Sequence, residues 1–287
     1  MANGILIVNK PQDWTSQDVV SKLRGVFHEK RVGHGGTLDP MATGVLPVFF
    51  GRATRAVEFF EHADKKYVAT LRLGLITDTQ DTTGNVFENR QVSVSEEEIK
   101  RALEKFVGQI EQIPPMYSAI KIGGKKLYEL ARAGKEVERK PRRIEIFSLK
   151  AEHLEGNDWR LFIHCSKGTY IRTLCHDIGI ALGCGGCMAS LVRTAAGVYD
   201  LDKSVTIEEL IADENRCERL LPVDSLFEKY SALSMTPAQE KCIRNGASFT
   251  YRGREGTFRI YSENGEFLAL AQVKEGKFST IKSFFGV

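Results

Sequence analysis

The order of strand-like and helix-like segments restricts the fold of this chain more than any other feature. Apolar or alternating runs typical of strands occur at residues 5–8, 65–73, 144–149 and 159–165. Helical patterns lie between some of these runs but not between all of them, so the regular strand–helix alternation of a parallel sheet is missing. The sequence therefore predicts an α+β fold.

Local signals place several helices and one long connection. A Ser or Thr followed three residues later by an acid marks a helix start, and these pairs are Thr15 with Asp18, Ser95 with Glu98 and Thr206 with Glu209. Another helix is predicted from about Thr169 to Leu182, where Gly183 ends it. Residues 33–51 combine Gly and Pro with interleaved apolar side chains, which predicts a packed loop.

The pattern changes near Ser231. A brief helix after Thr236 is followed by short strand-like runs over residues 257–283, separated by turns that contain glycine. This succession predicts a small β-barrel. We therefore expect one domain over residues 1–230 and a second over residues 231–287.

Composition excludes several classes of protein. Hydrophobic residues make up 42% of the chain and charged residues 27%, which is typical of a folded globular protein and not of a disordered one. The 40 Lys and Arg against 37 Asp and Glu leave a net charge of +3, so nucleic-acid binding would require a local basic cluster. No apolar run approaches the roughly 20 residues that cross a bilayer, and residues 5–8 are too few for a signal peptide. A cytoplasmic protein is expected.

The six cysteines do not suggest a disulfide scaffold in a chain of this length. Cys184 and Cys187 form a CxxC pair, which is preceded by His164, Cys165, Cys175 and His176. A zinc site needs four converging ligands, usually visible as two matched pairs, and the second pair is missing. Reduced structural thiols are therefore favoured, and a zinc-assisted base-modifying hydrolase is an alternative hypothesis.

The segment from Arg31 to Val48 carries the most informative residues. It is not a nucleotide-binding loop, because it lacks the Gly-Lys-Ser/Thr ending of a Walker loop and has Leu38 where GxGxxG requires glycine. Its one carboxylate is Asp39, which is followed by Pro40. An Asp in such a loop is commonly a turn residue or a helix cap. A carboxylate held among glycines and apolar residues can also act as a nucleophile.

Residues Gly33–Leu46 (GHGGTLDPMATGVL) closely resemble the active-site motif of the TruB family of bacterial tRNA pseudouridine synthases. Further matches follow in the family's order from residue 9 to about residue 194. They are Asn9–Pro11, Lys66–Tyr67, Leu71–Gly74, Thr77–Thr79, Pro115–Ala119, Gly124–Glu129 and Cys165–Leu174. The residues beyond the predicted domain boundary match more loosely.

The resemblance implies the pseudouridine synthase fold, with a mixed or antiparallel central sheet flanked by helices, followed by a small PUA-like barrel. It implies an isomerase that flips uridine 55 out of the T-loop of tRNA, detaches the base from the ribose at N1 and rejoins it through C5. It implies no cofactor and no metal, and a monomer acting on the T-arm stem-loop. Asp39 would start the reaction, either by covalent addition or by removal of a ribose proton.

The resemblance assigns two more catalytic residues and their ion network. Arg172 would supply the positive charge that keeps Asp39 ionised where burial would oppose ionisation, although an arginine here could also lie on a helix surface. Tyr67 would stack on the target base and assist proton removal from C5; without the resemblance, a strand tyrosine indicates core packing. Asp81 would join the ion network, or would serve only as a turn residue before Gly84.

The remaining implied site residues contact or support the substrate. Tyr170 and Leu191 would form further walls of the uridine pocket, and Val192 stands where the family more often has a basic residue. His34 would occupy the stack vacated by the flipped base, a contact worth about 1–3 kcal/mol for an aromatic ring. Lys10, counted with the binding residues, would buttress the catalytic loop.

A basic segment from Lys121 to Arg143 is a candidate for gripping RNA. Nine Lys or Arg stand there against three Glu, and the resulting net charge of +6 exceeds that of the whole chain. Such a run is often only a solvated helix. The resemblance implies a mobile RNA-gripping insertion over about residues 115–143, and a C-terminal barrel that touches the acceptor stem. The basic segment and the barrel alone would also support an RNA-binding protein without catalytic activity.

Overall fold

The computed structural model describes residues 2–285 of the 287-residue chain, and this part contains seven α-helices. They are α1 (Ser16–Phe27), α2 (Val57–Phe60), α3 (Glu96–Glu104), α4 (Leu127–Arg132), α5 (Ile171–Ala181), α6 (Ile207–Ala212) and α7 (Pro237–Arg244). The strands are β1 (Gly4–Lys10), β2 (Val32–His34), β3 (Thr43–Phe50), β4 (Lys65–Leu73), β5 (Leu75–Thr77), β6 (Val86–Asn89), β7 (Gly108–Gln112), β8 (Lys121–Ile122), β9 (Lys125–Lys126), β10 (Arg142–His153), β11 (Asp158–Cys165), β12 (Gly186–Ala196), β13 (Tyr199–Asp200), β14 (Ser231–Met235), β15 (Phe249–Thr250), β16 (Gly256–Ser262), β17 (Phe267–Lys274) and β18 (Lys277–Ser283).

One mixed sheet organises the main body of the protein. Its order in the described part of the chain is β1-β3-β12-β4-β11-β10-β7, and β2 pairs with β3 and β13 with β12. The pairings are antiparallel except for a short parallel contact, in which Val192 and Arg193 of β12 lie opposite Thr43 and Gly44 of β3. Helices α1, α3, α5 and α6 pack against the strands. The predicted α+β fold with a mixed central sheet is therefore confirmed.

Capping interactions fix the helix starts. The three predicted capping pairs all form reciprocal boxes, at the N-termini of α1, α3 and α6. The helix predicted from Thr169 begins two residues later, at Ile171, with Tyr170 as its N-cap, and it ends at Ala181. This shift places Arg172 in the first turn of α5.

Residues 33–51 form strands where a packed loop was predicted. The strands β2 and β3 enclose a tight loop of residues 35–42. β3 has Leu46, Val48 and Phe50 in one buried cluster and Val45 and Phe49 in another, so its two faces are both apolar and its sequence does not alternate. Along β3 the pairing partner changes from β12, at Thr43 and Gly44, to β2, at residues 48–50. Pro47 lies at this change of partner, where a strand tolerates a residue that has no N–H group to donate. The loop prediction holds only for the residues between the two strands.

The C-terminal strands form a second sheet in the order β14-β16-β17-β18-β15. The short strands predicted over residues 257–283 are confirmed as β16, β17 and β18. The sheet has its own apolar cluster, which includes Met235 and Phe278. Leu270 and Phe284 instead pack beside Phe227 in the cluster that also holds residues of β1 and β3. The C-terminal sheet thus shares a core with the main body, and the division at residue 231 stays a prediction.

The helices between residues 2 and 285 are short. The longest, α1, has 12 residues, and none is long and apolar enough to span a membrane.

Candidate active site

Asp39 lies in the tight loop between β2 and β3. The hydroxyl of Ser16, the first residue of α1, donates to the main-chain oxygen of Leu38 at 3.2 Å and accepts from the nitrogen of Leu38 at 2.9 Å. The oxygen of Asp39 accepts from the nitrogen of Ala42 at 3.0 Å. The side chains of Leu38 and Ala42 are buried in the core, whereas that of Asp39 is 38% exposed. The loop therefore presents a reachable carboxylate on a fixed backbone.

Lys10 supports this loop from behind. Its side chain is fully buried, and its Nζ donates to the main-chain oxygens of Pro11 at 2.8 Å, Trp14 at 2.6 Å and Pro40 at 3.1 Å. Burial lowers the pKa of Lys10 to about 8. Because its donors are directed at carbonyl groups, Lys10 holds the loop from behind, and its place among the substrate-binding residues stays a prediction.

Arg172 forms a two-point contact with Asp39. The distance from Arg172 Nε to Asp39 Oδ2 is 2.9 Å, and that from Nη2 to Oδ1 is 3.2 Å. The side chain of Arg172 is only 6% exposed. It lies in the first turn of α5, where the helix dipole disfavours a cation and favours a carboxylate. A second carboxylate, that of Asp81, has its Oδ2 3.8 Å from Arg172 Nε, so the residues expected to form an ion network are brought together.

Arg172 also joins the site to two other segments. Its Nη1 donates to the oxygen of Thr79 at 3.2 Å, and its Nη2 donates to the oxygen of Tyr117 at 2.8 Å. Oδ1 of Asp81 accepts from the hydroxyl of Thr79 at 2.7 Å, and from the nitrogen and the hydroxyl of Thr83 at 3.0 and 2.6 Å. Both interpretations of Asp81 therefore apply, since it organises a turn and also faces the buried guanidinium.

Tyr67 lies on β4 and packs against the same core as Leu38 and Leu191. Burial raises the pKa of Tyr67, and the positive charge of the nearby Arg193 opposes this rise. The negative charge of Asp39 adds to the rise. The phenol and the carboxylate are thus near enough to influence each other, with Leu191 as part of the apolar surroundings.

Tyr170 stands next to Arg172 as the N-cap of α5. The side-chain amide of Gln112, at the end of β7, holds its main chain: the Tyr170 nitrogen donates to Gln112 Oε1 at 2.8 Å, and Gln112 Nε2 donates to the Tyr170 oxygen at 3.1 Å. Burial raises the pKa of Tyr170. Sequence reasoning missed Gln112, because a single amide at a strand end carries no local signal.

His34 ends β2 at the other side of the loop. Its Nδ1 is buried and has no hydrogen-bond partner among residues 2–285. Burial lowers the pKa of the His34 imidazole, and the positive charge of Arg193 lowers it further. The ring is therefore held neutral near neutral pH, which suits stacking on a base.

The basic segment forms an extension between β7 and β10 that contains the β8–β9 hairpin and α4. Most of its basic side chains are exposed: these are Lys121, Lys125, Arg132, Lys135, Lys140, Arg142 and Arg143. Leu127 is buried and anchors the extension. The root of the extension borders the site, because the oxygen of Tyr117 accepts from Arg172. A segment rich in exposed positive charge is therefore connected to the site at its root.

The Cys and His residues considered for zinc do not converge. Between residues 2 and 285 there is no group of three or more His, Cys, Asp or Glu side chains that could hold a metal ion. Cys165, Cys175, Cys184 and Cys187 are buried free thiols, and burial raises the pKa of each. Such thiols are poor nucleophiles and poor ligands, so the zinc hypothesis finds no support in this part of the chain.

The chemistry available here starts from the carboxylate. A guanidinium that is buried and hydrogen-bonded to Asp39 stabilises its negative charge, and Tyr67 supplies an aromatic surface next to it. A neutral ring bound against Tyr67 could therefore be attacked or deprotonated by Asp39. The neighbouring basic extension favours a ligand that is itself negatively charged.

Comparison with known proteins gives a consistent result. The model of the TruB family pseudouridylate synthase (N terminal domain) matches residues 24–171, and that of the tRNA pseudouridylate synthase B C-terminal domain matches residues 172–228. A protein named tRNA pseudouridine synthase B from Alkaliphilus oremlandii is 49% identical over 244 residues, which are 85% of this chain and 82% of that protein. One of the same name from Clostridium kluyveri is 41% identical, over 98% of this chain and 99% of that protein.

Solved structures share the fold over almost the whole chain. A chain of a Cbf5-Nop10-Gar1 complex has a TM-score of 0.75 at 25% identity, over 99% of this chain and 84% of that chain. A chain of an H/ACA RNP bound to a substrate RNA containing 2′-deoxyuridine has a TM-score of 0.75 at 23% identity, over 99% of this chain and 86% of that chain. The C-terminal sheet is therefore part of the shared architecture.

Proposed function

This chain belongs to the TruB family of pseudouridylate synthases, and we propose that it converts uridine 55 in the T-loop of tRNA to pseudouridine without a cofactor. Relatives named tRNA pseudouridine synthase B align with nearly its whole length, which supports an enzyme that isomerises uridine in tRNA. The observation that carries the proposal is the contact of the buried Arg172 with Asp39, at 2.9 and 3.2 Å, beside Tyr67. The choice of the T-loop follows the motif resemblance.

The reaction exchanges one glycosidic bond for another and needs no added reactant. The bond from N1 to the ribose breaks, the base turns, and a bond from C5 to the ribose forms. The proton that leaves C5 is balanced by the proton that N1 gains. Asp39 starts this sequence, by addition or by removing a ribose proton, and both routes need its carboxylate as an anion. Arg172 stabilises that anion through an ion pair from Nε to Oδ2 and a charge-assisted hydrogen bond from Nη2 to Oδ1.

The surrounding side chains receive the extruded base. Extrusion of a nucleotide costs a few kcal/mol, and stacking on an aromatic ring such as Tyr67 returns about 1–3 kcal/mol. Tyr170 and Leu191 form further walls, and the neutral ring of His34 fills the space that the base leaves in the RNA. The hydroxyl of Tyr67 assists removal of the C5 proton after the base has turned.

The basic extension grips the RNA. Its exposed Lys and Arg side chains belong to the segment that reaches the site through Tyr117, and phosphate contacts by such residues give most of the affinity of a protein for nucleic acid. The T-arm stem-loop is the part of tRNA that presents both phosphates and the target uridine to this surface. A monomer suffices for this arrangement, since every proposed site residue comes from one chain.

Tritium release from tRNA labelled at uridine C5 tests the proposal. The wild-type protein should release tritium from a tRNA with uridine at position 55, and much less from the same tRNA with cytidine there. Asp39→Asn should abolish release while tRNA binding persists. Asp158→Asn is a matched control, because Asp158 pairs with Arg72 on the surface, and it should leave release unchanged.

Each alternative has its own outcome in this assay. Release by Asp39→Asn at the wild-type rate would remove Asp39 from the mechanism. Tight tRNA binding without release by the wild type would favour an RNA-binding protein without catalytic activity. Equal release from the cytidine-containing tRNA would move the target away from position 55.

A further inference from the structure

Arg193 lies at the junction of three strands around the site. It is on β12, opposite Tyr67 on β4 and opposite Gly44 on β3. The strands approach so closely that a Cβ atom on Gly44 would lie 2.3 Å from the main-chain oxygen of Arg193. The Arg193 residue is 1% exposed. A cation is thus buried at the centre of the sheet, between the strand that follows the Asp39 loop and the strand that carries Tyr67.

The guanidinium of Arg193 holds the backbone at both ends of residues 36–45, which we call the catalytic loop. This segment contains most of the tight loop that carries Asp39, together with the first residues of β3. Its Nη2 donates to the oxygen of Gly36 at 3.0 Å, and its Nε donates to the oxygen of Val45 at 2.7 Å. Arg193 also lies directly opposite Tyr67 of β4 in the strand register. One side chain therefore fixes the catalytic loop relative to the aromatic ring on the neighbouring strand.

The charge of Arg193 is not balanced by an acid in contact with it. Within residues 2–285 its side-chain hydrogen bonds go to two carbonyl oxygens, and its charged neighbours include the basic Lys10 and Lys65. Burying a guanidinium without a paired carboxylate is unfavourable. An apolar side chain would fill the same volume without that penalty, so this position supplies hydrogen-bond donors and positive charge.

We propose that Arg193 is a positioning residue of the isomerisation, which holds the catalytic loop in a fixed geometry beside Tyr67 and places a positive charge near the Tyr67 side chain; this rests on the function proposed above. A guanidinium has donors and no acceptor, and its hydrogen bonds to the oxygens of Gly36 and Val45 leave its charge without a counter-ion opposite Tyr67. This positive charge favours negative charge on the Tyr67 oxygen. Arg193 is too deeply buried to touch the RNA, and it acts through Tyr67 and the loop.

The effect of the Arg193 charge on Tyr67 is testable without RNA. Placing 3,5-difluorotyrosine at position 67 brings its ionisation toward neutral pH and gives a fluorine NMR signal. The charged or titratable groups that face this position are Arg193, Cys165 and Asp39. Arg193→Gln should raise the pKa of residue 67 by about 1 unit or more, and Arg193→Lys should raise it less. Arg72→Gln, which removes an exposed cation from the same strand, should leave it unchanged. An unchanged pKa in Arg193→Gln would overturn the proposal.

The catalytic consequence is testable by a double-mutant cycle. Arg193→Lys keeps the charge but has one nitrogen in place of the two that bond Gly36 and Val45, so kcat for tRNA should fall about 10- to 100-fold while KM changes less than about 3-fold. In a Tyr67→Phe background the same substitution should reduce the single-turnover rate less, because the part of the effect that acts through the Tyr67 hydroxyl is gone and only the part that acts through the loop remains. Equal losses in both backgrounds, or a change in KM alone, would contradict the proposal.

Two controls distinguish these results from misfolding of the variants and from failure of the proposed function. Thermal unfolding of each variant shows whether it is folded at the assay temperature, and Arg193→Lys is used in both experiments if Arg193→Gln is not folded. A wild-type protein that does not isomerise uridine, but whose residue 67 still titrates differently in the Arg193 variants, would refute the proposed function and support the effect of the Arg193 charge on Tyr67.

Discussion

Replacing Arg172 by Ala should reduce catalysis far more than RNA binding. Unit charges about 3 Å apart attract by about 5–6 kcal/mol at an effective dielectric constant of about 20. The side chain of Asp39 is 38% exposed, so water replaces part of this attraction once Arg172 is gone. About 2–3 kcal/mol of stabilisation should be lost from the anionic carboxylate, which corresponds to a fall of about 30- to 160-fold in the rate of the chemical step.

The assay separates the chemical step from binding. Tritium release under single-turnover conditions with saturating enzyme gives the rate, and filter binding gives the Kd for tRNA. Because Arg172 also donates to Tyr117 at the root of the basic extension, a small loss of affinity is expected, about 2- to 5-fold. Arg139→Gln is the contrasting control: Arg139 lies in the extension, donates to the oxygen of Pro114 and pairs with Glu136, so it should weaken binding more than the rate.

Equal losses of rate and affinity in Arg172→Ala would show that Arg172 mainly holds RNA, and they would refute the assignment of its charge to Asp39. The folding of the variant must be measured in parallel, since Asp81 is 7% exposed and faces the same guanidinium. The three hydrogen bonds that Asp81 accepts from Thr79 and Thr83 remain in the variant. We therefore expect a loss of about 1–3 kcal/mol in the free energy of unfolding and no change of fold.

Further predictions concern the loop, the RNA grip and the buried lysine. Gly44→Ala should lower the free energy of unfolding by about 3 kcal/mol or more, because the new Cβ would lie 2.3 Å from a main-chain oxygen at a φ of +100°. At Gly25 on α1, an added Cβ atom would meet no other atom within 4 Å. Gly25→Ala should therefore raise the free energy of unfolding by about 0.5–1 kcal/mol, and urea unfolding measures both variants. Lys121→Gln and Lys125→Gln should reduce the steepness of a plot of the logarithm of the tRNA binding constant against the logarithm of the salt concentration. The slope should change by up to about 0.9 for each phosphate that the variant no longer neutralises. An unchanged slope would mean that the β8–β9 hairpin does not touch the RNA backbone. Lys10 has a pKa lowered from 10.5 to about 8, so the unfolded chain binds more protons than the folded one between these pH values, and stability should rise with pH in this range relative to Lys10→Met. A difference between the two proteins that is independent of pH from 7 to 10 would contradict this.

The parts of the fold that depend on near neighbours in sequence could be predicted. Capping boxes join residues three apart, so the helix starts after Thr15, Ser95 and Thr206 follow from local chemistry. The strand β3 could not be predicted in this way. Its burial on both faces comes from packing clusters assembled by distant segments, and its Gly and Pro residues are explained only by a change of pairing partner along the strand.

The site shows the same division between local and long-range information. Asp39 and Arg172 lie 133 residues apart in sequence, and only the family resemblance connected them. Arg193 was missed because a single arginine in an apolar strand ordinarily faces solvent. Its burial follows from the position of β12 between β3 and β4, which no local pattern reveals.

The cations near the catalytic loop divide into two roles. Lys10 donates to three main-chain oxygens, Lys65 to one and Arg193 to two, so these three side chains hold backbone in place. Arg172 is the one among these four that pairs with a carboxylate, that of Asp39. Among residues 2–285 no acid forms an ion pair with these backbone-holding cations, and in a site of low dielectric such preorganised charge favours the build-up of negative charge on a bound ligand. In the reaction proposed above, a uracil base that leaves the ribose at N1 would carry such a charge, so we propose that the side chains that fix the loop also stabilise the base during its transfer.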